Sequence, residues 1–418
     1  MKPIRMILKF SVIVGCLLTG SCATYQSKVF KSRELVESGQ ISEAVKNLKT
    51  FADQPGDDQL IYVLDYATLL QYSGDLTESN QYFFKALKLI DQFDYQSISR
   101  VTGSLLFNEE MVQYKGDTFE KIFVNAYLAL NFLELNDLDS ALVESRRINQ
   151  KYQVYRQEEK KNFEMNSFAS YLSAMIWEAD KKYDDAYLAF LEAYKIDSNV
   201  GQIHEDLIRT ARKAQRMDEY KKWKSQFPQV KEDPRWYDSS LADVIIIFQN
   251  GWGARKDFNP QSPRFPILKS VYSESRNARI SIEPLGKNGT PYLDQTAFVY
   301  SVDDASIRTL VEDQGSLVAR RLTGVVAKEV AADQIRQKNE LLGLVAQIAM
   351  HASDRADLRQ WSFLPREFQM ARIRVKPGKY NLRLTTQNRY SETAAGGLSE
   401  KEFEIKAGKT RFFNWRRF

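Results

Sequence analysis

Four short turns, each between two amphipathic runs, constrain the fold of this chain more than any other feature. They are Gly39-Gln40-Ile41, Gly74-Asp75-Leu76, Asn136-Asp137-Leu138 and Lys181-Lys182-Tyr183. Five residues after the first member of each turn comes a small residue: Ala44, Ser79, Ala141 or Ala186. A small side chain at that place lets the second helix of a pair lie close on the first. The spacing therefore predicts a series of helix–turn–helix units.

The helical pairs repeat along the first half of the chain. The second pair, at about 57–91, has Val63, Tyr66 and Ala67 on one helix and Ser79 and Phe83 on the other. This spacing matches the tetratricopeptide pattern of about 34 residues per repeat. The turns begin at positions 39, 74, 136 and 181, so the intervals are 35, 62 and 45 residues. We therefore predict a short repeat array with an insertion at 91–118 and a final helical pair at 201–225.

Composition excludes several classes of function. The net charge is +5, and without Lys2, Arg5 and Lys9 it is +2, too near neutrality for an electrostatic nucleic-acid binder. The two cysteines are Cys16 and Cys22, and the two histidines, His204 and His351, are far apart. A site built from thiolate and imidazole has almost no ligands to draw on, so we predict no metal and no cofactor.

The first 21 residues are predicted to be a signal peptide. Lys2, Arg5 and Lys9 precede the apolar stretch 10–18, which is too short to span a bilayer. The sequence Leu18-Thr19-Gly20-Ser21-Cys22 resembles the lipobox of bacterial lipoproteins. That resemblance implies acylation of Cys22. Because Ala23 rather than Asp follows it, the resemblance also implies an anchor in the outer membrane, facing the periplasm.

Two alternatives remain for this N-terminal segment. Cys16 also follows box-like residues, Ile13-Val14-Gly15, but it would leave a very short apolar stretch. The other alternative is an ordinary signal peptide with an incidental cysteine.

A change of composition at 227–234 predicts a domain boundary. We therefore divide the chain into a signal peptide at 1–21, a helical repeat domain at 22–227 and a mixed α/β domain at 228–418. In the last of these, Val244 to Phe248 predicts a buried strand, the proline-rich stretch 255–266 a loop, and 279–284 and 296–302 short strands. Near-heptad apolar spacing predicts helix at about 304–352.

Alternating patterns return near the C-terminus. Ile373 and Val375 precede Lys376-Pro377-Gly378, where Pro then Gly fits a type II turn into a partner strand starting near Tyr380. A second hairpin is predicted from Phe403 to Trp415, turning at Gly408. The predicted fold class is α+β: a tetratricopeptide-like helical array, then short strands around a long helical segment.

Several segments, taken in order, resemble the uncharacterised tetratricopeptide-repeat outer-membrane lipoproteins of Gram-negative bacteria. They are Gly116-Asp117-Thr118-Phe119-Glu120, the run Asn125 to Asn131, Ala141-Leu142-Val143-Glu144 with Arg146, Arg147 and Asn149, Ser167 to Leu172, and Arg355 to Arg359 with Trp361, Leu364 and Pro365. The resemblance spans both halves. It carries no enzymatic activity, and it implies association with lipoproteins that regulate cell-wall synthesis.

The inner surface of such an array is lined by the first helix of each pair, and it gives the candidate partner-binding residues. In register these are Ile61, Leu64, Thr68, Tyr72, Phe123, Leu130, Leu133, Phe168, Tyr171 and Met175. So many apolar side chains should not face water. Either a partner protein fills this groove, or the insertion or the second domain of the same chain does.

Arg359 and Trp361 form a possible second surface. They could stack on a sugar or peptide, or they could be a structural joint in which Asp357 pairs with Arg359 and Trp361 packs against the C-terminal sheet. Arg146 and Arg147 could grip an acidic partner, or lie on a solvated face beside Glu144.

Catalytic motifs are not recognised. Gly286-Lys287-Asn288-Gly289-Thr290 lacks the Gly-Lys-Ser/Thr ending of a P-loop, and Gly251-Trp252-Gly253 lacks the third glycine of a dinucleotide turn. The sequence thus predicts a non-enzymatic periplasmic scaffold that binds another envelope protein. The alternative is a cell-wall-acting enzyme or carbohydrate-binding protein that works through residues 228–418.

Overall fold

The computed structural model describes residues 25–100, 113–160, 162–261, 265–286, 289–312 and 356–418. The predicted signal peptide and Cys22 lie outside these residues. So do 101–112 of the predicted insertion and 313–352 of the predicted helical stretch, although 302–312 are helical. The described chain is an α+β protein with helices first and mostly strands afterwards.

Ten α-helices of the described ranges form five antiparallel pairs. They are α1 Tyr25–Glu37, α2 Ile41–Ala52, α3 Gln59–Ser73, α4 Leu76–Arg100, α5 Thr118–Glu134, α6 Leu138–Gln157, α7 Ser167–Ala179, α8 Tyr183–Ile196, α9 Ile203–Lys213 and α10 Met217–Gln226. None of these helices has the length and apolar character needed to cross a bilayer.

All five pairs turn in the same way. The first residue of each turn has left-handed backbone, with φ of 77° at Gly39, 90° at Gly74 and 62° at both Asn136 and Lys181. At Gly74 its N–H donates to Gln71, and the next N–H donates to Leu70, five residues before the glycine. The fifth turn, at Gln215, makes the equivalent pair of bonds. These bonds satisfy carbonyls that the end of a helix leaves open.

The small residues after the turns are buried as predicted. Ala44, Ser79, Ala141 and Ala186 have no exposed surface. The Ser79 hydroxyl donates to the carbonyl of Ala67 on the preceding helix, at 2.8 Å. The spacing of the turns thus identifies tetratricopeptide-like helical repeats, which the structure confirms.

The second half is built from strands. They are β1 Ala242–Trp252, β2 Arg255–Asp257, β3 Ile267–Lys269, β4 Asn277–Pro284, β5 Tyr292–Gln295, β6 Ala297–Ser301, β7 Pro365–Val375, β8 Gly378–Gln387, β9 Thr393–Ile405 and β10 Thr410–Arg417. One sheet has the order β10-β1-β7-β6 and another β5-β4-β8-β9, while β2 and β3 form a short ribbon. The stretch 255–266, predicted to be loop throughout, therefore begins with a strand.

Both predicted hairpins are wrong. β7 pairs with β1 and β6, whereas β8 pairs with β4 and β9. Gly378 is not among the glycines with positive φ, so the type II turn is absent there. β10 likewise pairs with β1, in parallel, and not with β9. Each of these connections crosses from one sheet to the other, because alternation marks a half-buried strand but does not name its neighbour.

The two sheets face each other across a shared apolar core, and we call them the sandwich. The core residues include Val244, Ile246, Ile280, Ile282, Ile373, Val375, Leu382, Leu384, Phe403 and Phe413. β1 is buried on both faces. Its Val244 and Ile246 belong to this core, whereas Ile245 and Ile247 belong to the core shared with the helices. A strand covered on both sides needs a continuous apolar run.

Candidate interaction site

The concave face of the repeats is lined by α1, α3, α5 and α7, and the second half of the same chain occupies it. Residues 356–368, here called the inserted segment, lie across these helices. The indole Nε1 of Trp361 donates to the Thr68 hydroxyl at 2.9 Å, and the backbone N–H of Trp361 donates to Glu120 at 3.0 Å. Trp361 is only 2% exposed. Of the two occupants that the sequence left open, the structure shows the chain itself.

Two buried carboxyls hold the backbone of the inserted segment. Asp65 accepts the N–H of Phe363 at 2.9 Å, as Glu120 does for Trp361. The Tyr25 hydroxyl lies 2.5 Å from Asp65 Oδ2 and 2.6 Å from the carbonyl oxygen of Gln360. The second half is thus bonded to α1, α3 and α5 through directional contacts.

Burial changes the acidity of both carboxyls. It raises the pKa of Asp65 to about 7, although the hydrogen bonds from Tyr25 and Phe363 oppose the shift. Burial and the nearby Asp117 charge raise the pKa of Glu120 to about 7 as well. Protonation is therefore easier in the folded protein than in the unfolded chain, where the ordinary values are near 4.

Stability is expected to fall as the pH rises from 4.5 to 8. In this range the folded state retains protons on Asp65 and Glu120 that the unfolded chain has lost, so deprotonation favours unfolding. We expect a loss on the order of 1–3 kcal/mol in the free energy of unfolding, measured by urea denaturation at several pH values. Asp65→Asn should weaken this dependence, and the exposed control Asp139→Asn should not. An unchanged slope in Asp65→Asn would contradict the assignment.

Arg359 is held in a joint between the two halves. Its guanidinium lies 2.7 Å from Asp357 and 2.8 Å from Asp58 at the start of α3. The residue is 6% exposed. The structure therefore places Arg359 and Trp361 at the joint that the sequence gave as one of their two interpretations.

Aromatic stacking continues the contact along β7. The ring of Phe368 stacks on Phe168 of α7 at 4.0 Å between centroids and on Phe123 of α5 at 5.2 Å. Phe368 and both of its partners have at most trace exposure. Dispersion and exclusion of water from these rings join the sheet to the repeats.

A buried ionic cluster closes the far end of the concave face. Glu178 of α7 lies 2.8 Å from Arg209 of α9, 2.8 Å from Arg372 of β7 and 3.1 Å from Lys213. Arg209 also lies 2.5 Å from Asp206. Burial opposes ionisation of Glu178, but these cations together hold its pKa well below the usual value. Arg372, predicted on a half-buried strand, thus points its charge into the helices.

The ten residues predicted to line a partner-binding groove are mostly inaccessible. Nine are no more than 5% exposed, and Tyr72 is half-buried. Thr68, Phe123 and Phe168 contact the second half, and Tyr72 contacts Phe418 at 4.7 Å. Tyr171 instead bonds Asp206 of α9, between repeats. These side chains therefore offer no free docking groove in this conformation, because the second half covers them.

A cleft of about 620 Å³ remains open where the repeats and the sandwich meet. We call it the edge cleft. It lies between the α1–α2 turn, the C-terminal ends of α3 and α5, and strands β9 and β10. Its lining includes Ser42, Tyr72, Glu134, Leu398, Trp415 and Arg416. A volume of this size is in the range of ligand-binding clefts.

Amide side chains form the floor of the edge cleft. Gln249 of β1 donates to Gln71 at 3.0 Å and to Asn414 at 2.8 Å, and it accepts from Tyr127 at 2.8 Å. Gln71 in turn donates to Asn131 at 2.6 Å. This network joins α3, α5, β1 and β10 and keeps the floor polar. A second cavity, of about 150 Å³, lies beside Glu120, Lys256 and Asp357.

Comparisons with known proteins reach the helical part alone. No protein-family model matches the sequence, and no curated protein matches it. The structure described as MamA 41-end from Desulfovibrio magneticus RS-1 is 16% identical, covers 49% of this chain and 93% of that chain, and has a TM-score of 0.31. A crystal structure of MamA is 12% identical over 47% of this chain and 92% of that chain, with a TM-score of 0.32. Likeness at this level says nothing about what this chain binds.

The residues of the edge cleft were not identified from the sequence, Tyr72 and Thr68 excepted. Gln71, Gln249 and Asn414 carry no motif, and each is an ordinary polar residue in its local pattern. One signal was present: Gln249 and Asn250 interrupt the apolar run of β1, and Gln249 is fully buried. The described residues hold no group of three or more His, Cys, Asp or Glu side chains arranged for a metal ion.

Proposed function

We propose that this chain is a non-catalytic scaffold, anchored through a lipid on Cys22 to the periplasmic side of the outer membrane, that binds another envelope protein. The observation that carries the proposal is the edge cleft. After the apolar concave face has been covered, this cleft still presents both repeat and sandwich residues to a partner. A partner that binds there contacts both halves at once.

The ionisable groups of the interface support a role in assembly rather than catalysis. Asp65 and Glu120 have the raised pKa values that an acid–base catalyst needs. Their oxygens, however, accept backbone N–H groups of the inserted segment. Glu178 is likewise engaged by three cations. These groups are used to hold the two halves together.

The proposed anchor lies close to the folded body. Tyr25, three residues after Cys22, is already buried against Asp65. Three residues of extended chain span at most about 11 Å. A lipid on Cys22 would therefore keep the first repeat beside the membrane surface rather than on a long tether.

Cys22→Ala is expected to abolish lipidation and release the protein from the outer-membrane fraction or leave it unprocessed. The thiol is the proposed site of acylation, so no other side chain can replace it. Cys16→Ala is the matched control and should stay lipidated. Mass spectrometry of the mature N-terminus checks both, and a mature chain that starts elsewhere would refute the anchor.

The scaffold role is tested by chemical crosslinking in intact cells followed by purification under denaturing conditions. We expect the wild type to yield a discrete adduct with one or a few envelope proteins. Cys22→Ala should lose that adduct, because the chain is no longer held at the membrane. Adducts with only abundant proteins, at equal levels in both variants, would count against a specific scaffold.

A further inference from the structure

β10 has one edge that no described strand covers. It pairs with β1 alone, in parallel. The N–H of Asp243 donates to the carbonyl of Lys409 at 3.0 Å, which fixes the alternation of the ladder. Odd-numbered residues of β10 direct their backbone groups to β1, and the even-numbered Asn414 and Arg416 direct theirs outward. Such an edge is a template for pairing with another chain.

The edge cleft surrounds the second half of this edge. The Asn414 side chain lies on the face of β10 towards the helices, where it bonds Gln249. Trp415 lies on the opposite face, packed against the sandwich core, and yet both residues line the same cleft. The first half of the edge lies beside α5, whose Glu134 carboxyl is next to the Asn414 N–H. An occupant of the cleft therefore meets backbone groups in the middle and side chains on both sides.

Arg416 supplies a charge that its own surroundings do not neutralise. The residue is 8% exposed. Its guanidinium contacts the side-chain oxygen of Gln249 at 3.4 Å and the carbonyl of Phe363 at 3.3 Å, while its Nε has no hydrogen-bond partner. Among the described residues no carboxylate forms an ion pair with it. A buried cation without an anion is costly, and a charge-assisted bond from a carboxylate relieves that cost.

We propose that the edge cleft binds an extended acidic segment of a protein partner, which adds as a strand to the outer edge of β10 at Asn414 and Arg416. Its carboxylate pairs with Arg416, and its alternate side chains face Tyr72 on one side and Trp415 on the other. Residues 414–418 span about 13 Å of extended chain, so the contact takes four or five residues of the partner. The assignment rests on the proposed scaffold function and names the chemistry of its partner.

The test uses the purified full-length protein in detergent and a phage-displayed library of random heptapeptides. We expect the enriched peptides to carry Asp or Glu among β-branched residues. Replacing that acidic residue by its amide in a synthetic peptide should weaken binding about tenfold or more, since a bond to a charged group is lost. Arg416→Gln should have the same effect. Arg389→Gln, an exposed arginine of the sandwich, is the matched control.

A second variant keeps the test decisive if Arg416→Gln does not fold. Ser42→Trp fills the mouth of the cleft from an exposed position on α2 and should abolish peptide binding while the far-ultraviolet circular dichroism is unchanged. Peptides without acidic residues, or peptides still bound by Ser42→Trp, would overturn the assignment, as would binding of an acidic oligosaccharide in their place. If the cell crosslinks persist in Ser42→Trp, the scaffold role stands and the partner uses another surface.

Discussion

Glu178→Ala is expected to lower the free energy of unfolding by about 3–5 kcal/mol, because it leaves buried cations without their shared carboxylate. Arg209, Arg372 and Lys213 all lie within 3.1 Å of this side chain. After the change, Arg372 retains only Asp206, at 3.8 Å. Urea denaturation followed by circular dichroism measures the loss. The pKa of Glu178 is below its usual value, so its contribution is full at neutral pH and is lost on acidification.

Glu192→Ala is the matched control for the ionic cluster. Glu192 pairs with Arg156 at 2.8 Å, but on the surface of the repeats. An exposed pair contributes about 0–1 kcal/mol. Glu178→Gln separates charge from volume, since it retains the shape of the side chain and should still be strongly destabilised. Equal losses in Glu178→Ala and Glu192→Ala would show that the cluster does not hold the halves together.

Phe368→Ala is expected to cost about 3–5 kcal/mol of unfolding free energy, the range for a large aromatic side chain removed from a core. Phe368 stacks between α5 and α7, so the cavity opens directly at the contact between the repeats and the sandwich. Phe298→Ala is the control. Phe298 lies on the neighbouring strand β6 but is 50% exposed, and its loss should cost about 0.5 kcal/mol or less.

The same variant asks whether the two halves unfold together. Hydrogen exchange in Phe368→Ala should increase in α5, α7 and β1 alike, because these elements cover one another. The residues from Ile61 to Met175 that the sequence assigned to an open groove would then become exposed. An increase confined to β7, with α5 and α7 still protected, would mean that the concave face is stable without its covering.

The helical repeats could be predicted because the information that specifies them is local. Each turn is closed by hydrogen bonds between residues at most six apart, as from Asp75 to Leu70. A small residue at a fixed distance from the turn is enough to show where two helices touch. The same reasoning placed β1, β4 and β6 to within a few residues, since the alternation or run of apolar residues lies within each strand.

The neighbours of the strands could not be predicted in this way. β7 and β8 read as a hairpin because both alternate and a Pro-Gly pair lies between them. Yet they belong to different sheets, because β7 has to cover the concave face with Phe368 and Arg372. Nothing in the local pattern of a strand states which surface of the protein will bury its second face.

The sequence by itself determined the repeats, the buried strand β1 and the α+β class. Only the tertiary structure decided that the concave face is filled by the chain's own residues 356–368, and that the opening lies instead at the edge of β10. The physical reason is the distance along the chain between the groups that meet. Gln71 and Asn414 are 343 residues apart and 3.3 Å from each other in the floor of the edge cleft. Such a contact depends on how two separately patterned halves pack, and no periodicity within either half encodes it.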